Sequence, residues 1–142
     1  MNNVLIAIDS CESSFWMAFY ALSLARRVRA KVSILMVVDE ELSRMNDPEE
    51  WIGTPETHLE SLIAEQNSDA AHVDYYVAKG AFADEVARFI GENGTTSLIV
   101  GKPDATDSKS MRAFMSMIEE ISKRTRCHID IVQKNMSIER EK

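Results

Sequence analysis

Apolar positions along this chain follow two rhythms, short unbroken runs and helical spacing, and the rhythms alternate from one end to the other. Val4-Leu5-Ile6-Ala7-Ile8 is an unbroken run that stops at Asp9, the pattern of a strand covered on both faces. Ser13 or Ser14 then offers a hydroxyl cap to a helix whose core stripe is Met17, Ala21, Leu24, Ala25 and Val28, ending near Ala30. Val32 to Val38, rich in β-branched residues and closed by Asp39-Glu40, predicts a second strand. Within the irregular stretch 41–53, Asp47-Pro48-Glu49-Glu50 predicts one helical turn. Thr54-Pro55-Glu56 repeats that signal and opens a longer helix through Leu59, Leu62 and Ile63. His72 to Ala78 is a third strand; Gly80 turns the chain into a helix carrying Val86, Phe89 and Ile90 and ended by Asn93-Gly94. Ser97 to Gly101 is a fourth strand. After a polar loop, a helix carries Met111, Phe114, Met115, Ile118 and Ile121, and Cys127 to Val132 is the last strand.

Strands alternating with helices in this way predict an α/β fold: a single open, doubly wound, five-stranded parallel sheet with right-handed crossovers and helices on both faces. The pattern predicts one domain over 1–142, with a folded core to 133 and a charged tail over 134–142. Open sheets of this kind take ligands beyond the carboxyl ends of their strands, where the strand order reverses. That rule selects the loops after Asp9, Val38 and Gly101.

Charge and composition narrow the function. A net charge of -7 on 142 residues repels a phosphate backbone, so no nucleic-acid partner is expected. The basic clusters Arg26, Arg27, Arg29, Lys31 and Lys123, Arg124, Arg126 fall at predicted helix C-termini, where cations complement the helix dipole. No apolar stretch reaches the length of a membrane span and no charged leader precedes the first strand, so a soluble cytoplasmic protein is expected. Two cysteines, Cys11 and Cys127, and three histidines give neither metal-ligand spacing nor a disulfide framework. Cys11, ahead of a helix N-terminus, reads either as a redox-sensing thiol or as a small, partly buried side chain. His58, His72 and His128 cannot be placed in a nucleophile–base arrangement, and the adjacent Glu119 and Glu120 point different ways, so no catalytic residue is assigned.

Phe15-Trp16-Met17-Ala18-Phe19-Tyr20 is the densest aromatic stretch. With Met17, Ala18 and Ala21 facing the core, one helix face cannot bury Phe15, Trp16, Phe19 and Tyr20 together. They predict a surface for a protein partner, or else a cover supplied by the 41–53 segment with Trp51 and Ile52.

Several pieces in order resemble the universal stress protein family from Asn3 to Gln133. They are the strand 4–8 with Asp9-Ser10, the small-residue helix with Ala18, Ala21, Leu24 and Ala25, Val37-Val38-Asp39, Gly80 to Val86, Leu98 to Gly101, and Ser116 to Glu120 leading to Cys127. The resemblance implies the adenine nucleotide alpha hydrolase-like fold, a role in stress response or regulation, and a homodimer formed by pairing the last strands. Ile129 and Ile131 suit that pairing, and Asp130 between them opposes it.

Family members that bind ATP resemble one another in a loop G-x2-G-x9-G-[ST] after the fourth strand, whose glycines admit phosphate to backbone N–H groups. Here Gly101 matches the first glycine and Ser116 the hydroxyl, which stands near a helix start. Asp104 replaces the second glycine, Met115 the third, and the spacing is one residue longer. A carboxylate beside a phosphate costs several kcal/mol at about 4 Å, and a methionine side chain blocks close backbone approach. The resemblance also implies that Asp9 contacts the nucleoside and that the Val37 backbone reads the base. Asp9, Val37, Gly101 and Ser116 are therefore the candidate cofactor-binding residues of a vestigial or altered cleft. The expectation is no cofactor, with ATP or AMP as the alternative; Lys102, Lys109 and Arg112, opposed by Asp104 and Asp107, suit a smaller anion.

Overall fold

The computed structural model describes residues 2–10, 14–39, 55–66, 72–103 and 108–134. The elements are β1 (Asn3–Asp9), α1 (Trp16–Ala25), β2 (Lys31–Val38), α2 (Pro55–Gln66), β3 (Val73–Lys79), α3 (Phe82–Asn93), β4 (Ser97–Gly101), α4 (Ser108–Arg124) and β5 (His128–Val132). All five strands are parallel in the order β3-β2-β1-β4-β5, so the order reverses between β1 and β4. The expected open, doubly wound α/β sheet is the observed one.

Alternation along the strands sorts the core into two layers. Ile6, Ile8, Ile34, Met36 and Ile99 face α1 and α2, packing on Met17, Ala21, Leu59 and Ile63. Leu5, Ala7, Leu35, Val37, Leu98 and Val100 face α3 and α4, packing on Phe82, Val86, Phe114 and Ile118. Both faces are covered, which is why β1 reads as an unbroken apolar run and β2 as one interrupted only by the buried Ser33 between Val32 and Val38. Each fully buried Leu or Ile contributes about 1.5–3 kcal/mol.

Several boundaries differ from the sequence reading. The first helix begins at Trp16, after a residue, Phe15, that is itself helical (φ -66°, ψ -20°) and gives no side-chain cap. It ends at Ala25, because the amides of Arg27 and Val28 both turn back to the Leu24 carbonyl, at 2.9 and 3.1 Å. Its buried residues are Met17, Ala18, Ala21 and Leu22, while Val28 lies beyond the helix and is 37% exposed. The first basic cluster thus follows the helix rather than filling its last turn; Arg27 Nε still donates to the Ser23 carbonyl. In α4 the stripe is Phe114, Ile118 and Ile121, spaced four and three residues apart. Met115, one position off that stripe, turns outward. Strand β5 starts at His128, and the half-buried Cys127 sits in the bend before it with Sγ 3.6 Å from Thr125 Oγ1.

Helix α3 starts without a capping side chain at Ala81; the Phe82 N–H donates instead to Asp39 Oδ2 at 3.1 Å, at the end of β2. It ends at Gly94, in the left-handed region with φ 63° and its N–H on the Ile90 carbonyl. Helices α3 and α4 are joined by Arg124, whose Nη1 donates to Asp84 Oδ1 at 2.6 Å and Glu120 Oε2 at 3.1 Å. The hydrogen bond to Asp84, chiefly, raises the guanidinium pKa further. No described helix is long and apolar enough to cross a membrane. The expected turn over 47–50 and the tail from 135 lie outside the described residues.

Candidate functional site

The crevice that the strand order defines opens beyond the carboxyl ends of β1, β2 and β4. Two candidate residues meet there. Asp9 ends β1 half-buried, and its register partner on β2 is Val37, which is fully buried with its side chain in the α3/α4 layer. Burial leaves only the backbone of Val37 for recognition. Gly101 closes β4, paired with Val132 on the β5 side and one residue past the Ala7–Val100 pair.

Helix α1 presses on Gly101. A Cβ there would lie 2.9 Å from Met17 Sδ, 3.1 Å from Met17 Cγ and 3.0 Å from Trp16 Cζ2. Met17 is 1% exposed and Trp16 packs against the core, so neither retreats freely. The φ of Gly101 lies outside the left-handed region, so close approach rather than a turn explains the glycine. The sequence reading missed this contact. Its signal was the bulky Trp16-Met17 pair opening the helix that follows β1, next to the strand that ends in a glycine.

The fourth candidate does not join the others. Ser116 was expected near a helix start, but α4 already begins at Ser108, leaving Ser116 exposed in the middle of a 17-residue helix. Eight residues at 1.5 Å each put it about 12 Å along the helix axis from that start. The physical reason is local: Ser108 to Met115 contains no glycine or proline, and Met111 and Phe114 set a helical apolar spacing, so the segment winds. Met115, expected to obstruct the backbone, is 48% exposed. Lys109 and Arg112 are exposed on α4 and Lys102 is half-buried after β4; Asp104 and Asp107 lie outside the described residues.

The Asp39–Phe82 hydrogen bond adds a further element that sequence reasoning missed. The positive N-terminus of α3 already holds a carboxylate of this chain. Its signal was the pairing of an acidic strand end with a helix start lacking its own Ser, Thr, Asp or Asn cap.

The aromatic stretch is less exposed than expected. Phe15, Trp16 and Tyr20 are half-buried against the α1/α2 core, and only Phe19 stands largely in solvent, 56% exposed. Phe15 and Phe19 meet edge-on, with centroids 6.0 Å apart and rings at 81°. The 41–53 segment, its possible cover, and Cys11 lie outside the described residues.

Elsewhere, His72 and His128 each contact the aspartate two residues on, at 2.9 Å, on opposite edge strands. Among the described residues no group of three or more His, Cys, Asp or Glu is placed to hold a metal. A cavity of about 20 Å³ between Asn3, Ser33, Tyr76 and Phe89 lies at the amino ends of the strands, away from the crevice, and has room for one water.

Fold and topology together define an open parallel α/β protein with a crevice at the β1/β4 reversal. The chain belongs to the universal stress protein family, whose model matches residues 1–133. Among solved structures it resembles a universal stress protein in complex with cAMP, at 17% identity and TM-score 0.63, over 93% of this chain and 96% of that one. It also resembles the universal stress protein UspA from Lactobacillus plantarum, at 18% identity and TM-score 0.61, over 92% of this chain and 97% of that one. A family member from Burkholderia pseudomallei aligns at 17% identity and TM-score 0.52, over 92% and 95%. At these identities the likeness is one of fold. No curated protein matches the chain in sequence.

Proposed function

We propose that this chain is a non-enzymatic, cytoplasmic regulator in the stress response, acting through self-association along β5 or through a protein partner. On this reading its crevice does not hold ATP in the manner of the family's binders. The observation that carries the reading is the start of α4 at Ser108. Residues 108–115 of the stretch that would wrap a triphosphate are wound into helix, so Ser116 stands about 12 Å along the axis from the helix start. The contact of Trp16 and Met17 with Gly101 supports the same reading, because it occupies the place where a phosphate would meet that backbone.

A second reading is a switch that binds a smaller adenine nucleotide. It is favoured by the adjacency of Asp9 and Val37, which keeps the nucleoside end of the cleft in register. The solved relative in complex with cAMP is consistent with it.

One titration separates the two. Mass spectrometry of the denatured purified protein first establishes whether a nucleotide is carried. Thermal unfolding is then followed with ATP, AMP and cAMP at about 1 mM, where a ligand present at 100 times its Kd adds about 2.7 kcal/mol. The expected outcome is no carried nucleotide and no shift with any of the three. A shift with AMP or cAMP alone establishes the second reading, and a shift with ATP overturns the first.

A further inference from the structure

Asn93-Gly94 is the only Asn-Gly pair in the chain, and ending α3 requires only its glycine. The asparagine has chemistry of its own. Asn93 is the last residue of α3, exposed, with Nδ2 donating to the Phe89 carbonyl at 3.0 Å. Gly94 follows in the left-handed region, its N–H on the Ile90 carbonyl. From β1, Asn3 Nδ2 donates to the carbonyls of Asn93 and Gly94, at 3.3 and 3.2 Å. The Thr95 amide donates to the Ile90 carbonyl at 3.3 Å, and the Thr96 amide to the Asn3 carbonyl at 2.9 Å. A side chain of β1 thus latches the carbonyls that end α3.

An asparagine followed by glycine reacts with itself, because the next backbone nitrogen has no side chain beside it. That nitrogen attacks the asparagine Cγ and forms a C–N bond. Nδ2 leaves as ammonia, taking the glycine amide proton, and a succinimide ring remains. Water opens the ring at either carbonyl, giving aspartate or an isoaspartate whose backbone runs through Cβ and Cγ. The sum is amide and water to acid and ammonia, with no oxidant. In the folded chain the helical backbone at Asn93 holds the Gly94 nitrogen away from ring closure, and both reacting groups are engaged, Nδ2 by Phe89 and the nitrogen by Ile90. Reaction therefore requires that the last turn of α3 open, and helix ends are where opening costs least. We propose that Asn93 is a self-modification site of this chain, converted by water at a rate gated by the Asn3 latch on the end of α3. Aspartate at 93 sets a carboxylate beside the Phe89 carbonyl, at the negative end of the helix, where a donor stood. Isoaspartate lengthens the backbone, so the bonds to Ile90 and from Asn3 are not all kept. The modified turn is looser than its parent, and the modified fraction records how long the turn has stood open.

Peptide mapping by mass spectrometry of the full chain, incubated in neutral buffer, reads the acid at position 93, and chromatography separates aspartate from isoaspartate. Asn93→Gln, which keeps an amide but cyclises poorly, should show no acid there and so assigns the signal. The folded chain should convert at least about tenfold more slowly than the chain unfolded in urea. Asn3→Ala removes both latch bonds and should raise the native rate roughly 5- to 30-fold, with the rate in urea unchanged. Should Asn3→Ala fail to fold by circular dichroism, the wild type in urea well below its midpoint carries the test, and conversion must quicken before global unfolding does. Asn93→Asp should lower the urea midpoint. Equal rates in buffer and in urea overturn the proposal. So does a native rate indifferent to Asn3→Ala, or a folded chain that forms no acid at 93, with or without the latch, while the unfolded chain converts. An unchanged or raised midpoint for Asn93→Asp overturns the loosening of the turn. None of these readouts involves a nucleotide or self-association.

Discussion

Gly101→Ala is the sharpest test of how the crevice is closed. The added methyl lands 2.9 Å from Met17 Sδ and 3.0 Å from Trp16 Cζ2, distances at which one group must move. Forcing an extra carbon into a packed interior costs about 1–3 kcal/mol. Alanine returns roughly 0.4–1 kcal/mol by restricting the unfolded chain, since the backbone at 101 is compatible with a side chain. The net expectation is a loss of about 1–2 kcal/mol. With unfolding entropy near 2.1 cal/mol/K per residue, 142 residues lose roughly 3–7 °C of Tm for that change. Calorimetry or urea unfolding reads it directly. An unchanged or raised Tm would refute the contact. A double-mutant cycle localises it: in a Met17→Ala background the new methyl enters the vacated space, so the double variant should be less destabilised than the sum of the singles by about 1 kcal/mol. Strict additivity would mean that Gly101 and Met17 do not press on each other.

The same edit at two other glycines should behave differently. Gly94→Ala meets nothing closer than Asn3 Nδ2 at 3.9 Å but must hold a φ of +63°, so it should cost about 1–2 kcal/mol from the backbone alone; urea denaturation reads the loss. Gly91→Ala, inside α3 with nothing within 4 Å, should instead stabilise by about 0.5–1 kcal/mol through helix propensity, seen as a higher urea midpoint.

The architecture was readable because β1, β2 and β4 are buried on both faces and therefore spell apolar runs, broken in β2 only by Ser33, that no amphipathic helix would show. Element ends were less readable because they depend on partners far away in sequence. Ser13 and Ser14 look like caps, yet the first helix begins at Trp16, and its N-cap residue is Phe15, whose side chain makes no capping hydrogen bond. Ala81 looks uncapped, yet Asp39 serves α3 from the end of another strand. The stripe through Val28 failed for a different reason: Arg26, Arg27 and Arg29 surround it, and Lys31 must already be in register with Asn3 on β1.

The candidate site shows why surviving motif letters are weak warrants. Gly101 persists, and its neighbours Trp16 and Met17 account for it without any ligand. Ser116 persists, but a hydroxyl acts through position, and position is set by where α4 starts. Returning Ser116 to the end of β4 would require unwinding 108–115, about two turns. That would break the backbone hydrogen bonds of those turns and expose Phe114, now 7% exposed, whose burial alone is worth about 1.5–3 kcal/mol. A phosphate would have to supply that energy, beside a Gly101 whose Cβ direction is filled by Met17 and Trp16. The substitution at 115 therefore counts less as a bulky side chain than for leaving 108–115 without a glycine, a segment that winds into helix. At the other end Asp9 and Val37 stay in register, so the proposed nucleotide reading is confined to a ligand lacking the triphosphate.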